Sequence, residues 1–153
     1  MGRSQTTAKL ENTYSQIPKS SCEDGCGRCC GPVFPSLAEL RNIKDWCAQH
    51  HLEYRDFLAI SKEGDCPYLS TEKECVIYPV RPFLCRLLGV SIDLPCPLGK
   101  CTSSKILNHA QSDALYEAIY LHGKEKTRTE KHRQIVKGVL ATILQEMVGA
   151  RHG

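Results

Sequence analysis

All ten cysteines of this 153-residue chain lie between Cys22 and Cys101. Such a cysteine-dense segment is typical of either a secreted disulfide scaffold or a metal protein. The first twenty residues are polar and charged, and they contain neither an apolar signal-peptide core nor a small-residue cleavage site. We therefore expect a cytoplasmic protein whose cysteines bind metal rather than form disulfides.

The overall composition excludes several other classes of protein. With 41% hydrophobic and 24% charged residues, the chain is close to the globular average and fits one small domain. No uncharged apolar run approaches the roughly 20 residues that a transmembrane helix needs. A net charge of +3 is too small to imply nucleic-acid binding, and no nucleic-acid-binding motif accompanies it. We expect neither a transmembrane segment nor a nucleic-acid partner.

The residue patterns predict a mainly α fold, stabilised by a metal cluster, with irregular cysteine-rich loops. Residues 1–21 are polar and contain Pro18, which favours a flexible N-terminal arm. Residues 22–101 form the cysteine-rich metal-binding region, and residues 102–153 form a C-terminal helical region. All three segments belong to a single domain.

Several local elements follow from the same patterns. Ser36 and Glu39 have the spacing of a capping box, which predicts a helix that ends near Gln49. A polar turn flanked by short β-type runs predicts a short hairpin within residues 64–78. Residues 81–88 fit one helical turn that begins at a proline.

The remaining helices are predicted from apolar spacing. Residues 52–60 fit a short helix, and residues 102–104 offer caps for a longer one that closes at Gly123. Residues 124–133 form a basic, charged connector. Apolar pairs recur along residues 131–148 at helical spacing, which predicts a last helix with a broad apolar face.

The first four cysteines form the motif Cys22-x3-Cys26-x2-Cys29-Cys30. Glycines between them let the chain fold tightly, so that several side chains can converge on one metal centre. Cys29 and Cys30 are adjacent, so their Cα atoms lie about 3.8 Å apart, below the usual disulfide window of about 4.4–6.8 Å. We therefore expect this motif to bind metal.

Four later cysteines follow at separations of 9, 10 and 11 residues: Cys66, Cys75, Cys85 and Cys96. Each needs a chain reversal to return to a common centre, and the Ser70-Thr71 pair and the flanking prolines can supply these reversals. Cys47 continues the apolar face of a predicted helix, so we expect it to be a core residue. The residues alone leave the role of Cys101 open.

These motifs together resemble a known family. Three stretches are similar to the YkgJ-type cysteine-cluster proteins. They are the run from Cys26 to Cys30, the run Cys66-Pro-Tyr-Leu, and the pattern Cys-x-Ile-Tyr-x-x-Arg-Pro-x-x-Cys-Arg from Cys75 to Arg86. That family is described as zinc- or iron-chelating, and the resemblance spans about half of the chain. Together with the spacing, it implies the following ligands: Cys22, Cys26, Cys29, Cys30, Cys66, Cys75, Cys85 and Cys96.

The spacing of these cysteines favours iron–sulfur over zinc. Structural zinc sites commonly pair two Cys-x2–4-Cys knuckles, whereas only the first knuckle is present here and the later cysteines are isolated. We expect an iron–sulfur cluster, with 4Fe–4S the first choice, and zinc as the alternative. Arg28, Arg81 and Arg86 are candidates to offset the negative charge of the thiolates.

Three enzyme classes fit less well. The spacing Cys22-x3-Cys26-x2-Cys29 is that of radical S-adenosylmethionine enzymes, but a barrel-type fold needs about 200 residues or more. The family is related to flagellin lysine N-methylases, but this chain has no glycine-rich cofactor loop after a strand. The six histidines fall on predicted helices, helix ends or the tail, where solvent exposure is the better interpretation than Cys/His catalysis.

We therefore expect an iron–sulfur accessory or regulatory protein that responds to redox state or oxygen, and not an enzyme. It would dock on a larger protein through the C-terminal helices and the basic connector, and no small-molecule substrate is indicated. An oxygen-labile cluster would suit an anaerobic host. The alternatives are a structural zinc module or the metal-cluster subunit of a protein-modifying, methylase-like system.

Overall fold

The computed structural model describes six segments of the chain: residues 5–21, 26–27, 30–31, 33–57, 65–99 and 101–120. Two predicted ligands, Cys22 and Cys29, lie outside these residues. So do Arg28, the basic connector and the predicted last helix.

Helices account for most of the regular structure in the described residues. They are α1 (Gln5–Tyr14), α2 (Leu37–Gln49), α3 (Phe83–Leu87) and α4 (His109–Tyr120), with a short 3-10 turn (Tyr78–Val80) before α3. The two-residue strands β1 (Ser20–Ser21) and β2 (Thr102–Ser103) pair antiparallel. The mainly α prediction is therefore confirmed. None of the described helices is long and apolar enough to cross a membrane.

Helix α2 begins at the capping box that the sequence predicts. The hydroxyl of Ser36 accepts a hydrogen bond from the Glu39 amide at 3.3 Å, and the Glu39 carboxylate accepts one from the Ser36 amide at 2.9 Å. The apolar face of the helix buries Ile43 and Cys47 completely. Cys47 is thus a core residue, as predicted.

Glu39 also joins two other helices, although the sequence indicates only its capping role. Its carboxylate is buried and accepts hydrogen bonds from the Tyr14 hydroxyl of α1, at 2.8 Å, and from the Phe83 amide at the start of α3. Burial raises the pKa of this carboxyl, while the bonds from Ser36, Phe83 and Tyr14 oppose the rise. One side chain therefore links α1, α2 and α3.

The prediction of a flexible N-terminal arm is wrong for residues 5–21. Helix α1 packs against α2 and α4, and it buries Leu10 and Thr13, while Ile17 is buried just beyond its end. Leu10, Tyr14 and Ile17 lie at helical spacing within a polar sequence. Because the helix is stabilised by its tertiary partners rather than by its own composition, the polar sequence conceals it.

Two predicted helices also differ from the structure. Residues 52–57 are not helical, and Phe57 instead turns inward against the ring of Tyr68, with the ring centroids 5.1 Å apart. Helix α4 begins only at His109, because Thr102 pairs with β1 and so cannot cap a helix. Strand pairing between distant segments overrides the local capping signal in this case.

The hydrophobic core draws mainly on the cysteine-rich region. Its buried residues Tyr68, Ile77 and Phe83 belong to the same cluster as the apolar residues of α1 and α4. The ring of Phe83 meets that of Tyr116 edge-on at 6.4 Å, and so α3 is packed against α4. The cysteine-rich loops are consequently attached to a packed core rather than held by metal alone.

Replacement of Tyr14 by phenylalanine tests the buried link to Glu39. The ring that contacts Arg86 is retained, so the change removes only the hydroxyl, with its bond to the Glu39 carboxylate and its bond to Arg86. We expect the free energy of unfolding to fall by about 1.5–3 kcal/mol, the range for a hydrogen bond to a charged group. Denaturant titration measures the change, and Tyr54→Phe, at a half-exposed tyrosine, is the control. Equal stability of the two variants would contradict the role given to Glu39.

Candidate metal centre

One cavity of about 580 Å³ collects most of the described cysteines. Six of them line it: Cys26, Cys30, Cys66, Cys75, Cys85 and Cys101. The eight described cysteines form no disulfide among themselves. The two that do not line the cavity are Cys47, in the core, and Cys96. The structure thus brings together five of the eight predicted ligands and adds Cys101.

A tight turn brings Cys66 and Cys75 to the same side of the cavity. The Val76 amide donates to the Tyr68 carbonyl at 3.0 Å, and Leu69 forms a single antiparallel bridge with Cys75. The predicted hairpin is therefore reduced to one bridge, because the chain turns again into the 3-10 turn directly after it. The chain reversal expected between these two cysteines is present.

The main chain around Cys66 is arranged as a ligand knuckle. The Tyr68 amide donates to the Cys66 sulfur at 3.5 Å, and the Leu69 amide donates to the Cys66 carbonyl at 3.1 Å. Burial raises the pKa of the Cys66 thiol, the Tyr68 amide lowers it, and the nearby Cys75 raises it further. Such an amide–sulfur bond orients the sulfur lone pairs and stabilises a thiolate once a cation is close.

Gly27 allows the first cysteine motif to lie against this turn. Its backbone φ is +57°, and a Cβ at this position would lie 3.2 Å from the Cβ of Lys73 and 3.3 Å from Leu69. A larger residue would strain the backbone and press on the turn. Gly27 thereby brings its neighbour Cys26 to the cavity wall.

Cys85 is positioned by α3. Pro82 precedes the helix, and the amide of Phe83 is held by the Glu39 carboxylate, so the start of the helix is fixed by a group from α2. Leu84 and Leu87 point into the core, whereas Cys85 is half-buried and lines the cavity. The core therefore sets the direction of the Cys85 thiol.

Two arginines line the same cavity. The Arg81 guanidinium lies 3.8 Å above the ring of Tyr78, and that of Arg86 lies 3.9 Å above the ring of Tyr14. Arg86 also donates to the carbonyls of Arg81 and Pro79, both at 3.0 Å. These contacts fix two positive charges in the lining of the cavity, where they would offset part of the negative charge of a metal–thiolate group.

The donor set of the cavity suits a thiophilic metal. Within the described ranges, no three Cys, His, Asp or Glu side chains come close enough to hold one metal ion. A tetrahedral zinc site needs its sulfurs at about 2.3 Å from a single ion. The cysteines of an iron–sulfur cluster bind different iron atoms, so their sulfurs stand farther apart. Both kinds of centre bind through cysteine thiolates, and six cysteines line this cavity.

Comparison with known proteins agrees with metal binding in this part of the chain. Residues 21–93 match the family model CxxCxxCC, which is described as a "putative zinc- or iron-chelating domain". This segment is thus similar to the cysteine-cluster family. The CxxCxxCC domain contains five of the cavity cysteines, whereas Cys101 lies beyond it. No curated protein and no solved structure matches the chain.

The sequence pattern favoured Cys96 as a ligand and left the role of Cys101 open, whereas Cys101 lines the cavity and Cys96 does not. Both cysteines lie in similar sequence surroundings of proline and glycine, so local patterns do not distinguish them. The antiparallel pairing of β1 with β2 distinguishes them, because it anchors Thr102, next to Cys101, against Ser21 at the cavity. This pairing joins segments about eighty residues apart in the chain. The assignment of Cys96 as a ligand stays a prediction, as do those of Cys22 and Cys29.

Serine substitution at Cys75 or Cys85 tests the centre directly. We expect metal affinity to fall by at least about 10-fold, since loss of even a partner behind a ligand costs 10–100-fold. Melting temperature should fall as well, because metal binding stabilises the folded chain. Metal analysis after identical anaerobic purification measures the loss.

The matched control is Cys47→Ala, which removes a buried thiol that does not line the cavity. It should lower stability but keep the metal. Loss of metal from Cys47→Ala together with full metal in Cys85→Ser would contradict the assignment.

Proposed function

We propose that this protein is an iron–sulfur accessory or regulatory protein that responds to oxygen or redox state and docks on a larger protein. The observation that carries the proposal is the set of six cysteines lining one cavity beside Arg81 and Arg86. Metal binding itself agrees with the zinc- or iron-chelating family of residues 21–93. The choice of iron–sulfur over zinc, the response to oxygen and the partner are the proposal.

The spread of the cysteines supports a cluster. They come from the first motif, the turn between Cys66 and Cys75, helix α3 and the residue before strand β2, so the thiols reach the cavity from four separate segments. A cluster with several iron atoms can use thiols that are presented in this way. The two guanidinium groups would offset part of the negative charge of such a group.

The exposure of the cavity cysteines supports a response to oxidants. All six are half-buried rather than fully enclosed, so small oxidants can reach them from solvent. Cluster loss or thiol oxidation would change the charge of the cavity and free the chain segments that the cysteines tether. A cytoplasmic location is part of this proposal, because a reducing compartment preserves thiols.

The docking part of the proposal rests on the sequence. Residues 131–148 carry a broad apolar face at helical spacing, and residues 124–133 carry an excess of positive charge. Both stretches lie outside the described residues. A protein that responds to redox state without its own catalytic site needs a partner to which it transmits the change.

Metal analysis separates the proposal from its zinc alternative. Full-length protein made without oxygen in iron-sufficient medium should be brown and should contain iron and acid-labile sulfide in comparable amounts. Its visible absorption should bleach in air. Stoichiometric zinc with no iron would instead support a structural zinc module and contradict the iron–sulfur proposal.

Binding of the partner should depend on oxygen. Affinity purification from the native host is expected to retain a specific protein without air and to lose it after exposure to air. The Cys85→Ser variant is the control, and it should behave without air as the wild type does in air. Equal retention in both conditions would contradict the redox response, and a chain that stays alone in both would contradict docking.

A further inference from the structure

Two cysteines follow the segment that matches the CxxCxxCC family, and only one of them lines the cavity. Cys96 and Cys101 are both half-buried and lie only five residues apart. Cys101 lines the cavity with the five cysteines of the domain, whereas Cys96 does not. The family match ends at residue 93, so it assigns neither of them.

Strand pairing holds Cys101 at the cavity. Thr102, the next residue in the chain, pairs with Ser21, and both Ser20 and Ser21 line the cavity. The hydroxyl of Ser103 donates to the Lys19 carbonyl at 3.0 Å and strengthens the same junction. The segment that carries Cys101 is therefore anchored to the residues that directly precede the first cysteine motif.

Gly89 provides the space that Cys101 occupies. A Cβ on Gly89 would lie 2.7 Å from the Cys101 sulfur and 2.8 Å from its Cβ, distances that real Cβ atoms do not adopt. Its φ of +82° also favours glycine, and its amide donates to the Leu94 carbonyl at 2.8 Å. Gly89 follows α3, the helix that carries Cys85, by two residues. The same turn thus ends α3 and admits the thiol of Cys101.

We propose that Cys101 is a thiolate ligand of the metal group bound by the CxxCxxCC domain, supplied from outside that domain, and that Gly89 is its positioning residue. This inference rests on the proposed metal-binding function. It assigns Cys101 rather than Cys96 as the ligand that the C-terminal segment contributes. The segment that carries Cys101 then closes one side of the cavity and ties metal binding to the β1–β2 pair.

The experiment compares Cys101→Ser with Cys96→Ser in the full-length chain. Each protein is loaded without air, once with ferrous iron and sulfide and once with zinc, and metal release to a chelator is timed. Cys101→Ser should release metal at least about 10-fold faster than wild type, given the cost of disturbing a ligand shell. Cys96→Ser should match the wild type. The melting temperature of each metal-free variant checks that folding is retained.

Each result decides the inference. If wild type retains metal and Cys101→Ser releases it equally slowly, or if Cys96→Ser is the faster variant, the inference is wrong and the proposed function still stands. If wild type retains zinc but no iron and sulfide, the iron–sulfur proposal is wrong, and zinc release alone decides the role of Cys101. If wild type retains neither, both are wrong.

A pair of alanine substitutions tests the positioning role of Gly89. Gly99 also has a positive φ, +63°, but a Cβ there would meet nothing within 4 Å. Gly89→Ala and Gly99→Ala both place a side chain on a residue with positive φ, and only the first collides with Cys101. Faster metal release from Gly89→Ala alone is expected, and equal release from the two variants would contradict the role of Gly89. Cys101→Ser and Cys96→Ser add no bulk, so the comparison of these two variants decides the ligand assignment even if Gly89→Ala fails to fold.

Discussion

The buried carboxylate of Glu39 is the interaction on which the arrangement of the helices depends. It caps its own helix at Ser36, accepts the hydroxyl of Tyr14 and holds the first amide of α3. A carboxylate removed from water is costly unless its lone pairs are satisfied, so these three donors must stay together for the fold to be stable. The same network fixes Cys85, because the cysteine lies two residues beyond the amide that Glu39 holds.

Tyr14 extends this network to the cavity. Its hydroxyl binds Glu39 while its ring lies beneath Arg86, whose guanidinium bonds to the loop before α3. The N-terminal helix therefore supports the wall of the metal centre, although it contributes no cysteine. The apolar core and the cysteine cavity share a boundary along α3, so the stability of one depends on the geometry of the other.

The cavity is built from segments with little regular structure of their own. Gly27 lets the first cysteine motif lie against the turn that follows Cys66, and Gly89 lets the segment of Cys101 lie against the end of α3. Both glycines act at close approaches where a side chain would collide. Thiols that approach a cavity from several loops lose conformational freedom when they bind a common group, so binding that group would stabilise the loops as well.

The sequence by itself determined the class of chemistry and the local elements. Cysteine spacing indicated metal, the Ser36–Glu39 pair predicted where α2 begins, and the spacing of Cys47 predicted a core residue, because each signal depends on neighbours along the chain. Tertiary structure alone decided that the polar N-terminal segment is a packed helix and that Glu39 joins three helices. It also decided that Cys101, and not Cys96, lines the cavity. These features depend on contacts between residues far apart in the chain, such as Ser21 with Thr102, and no local pattern encodes such a contact.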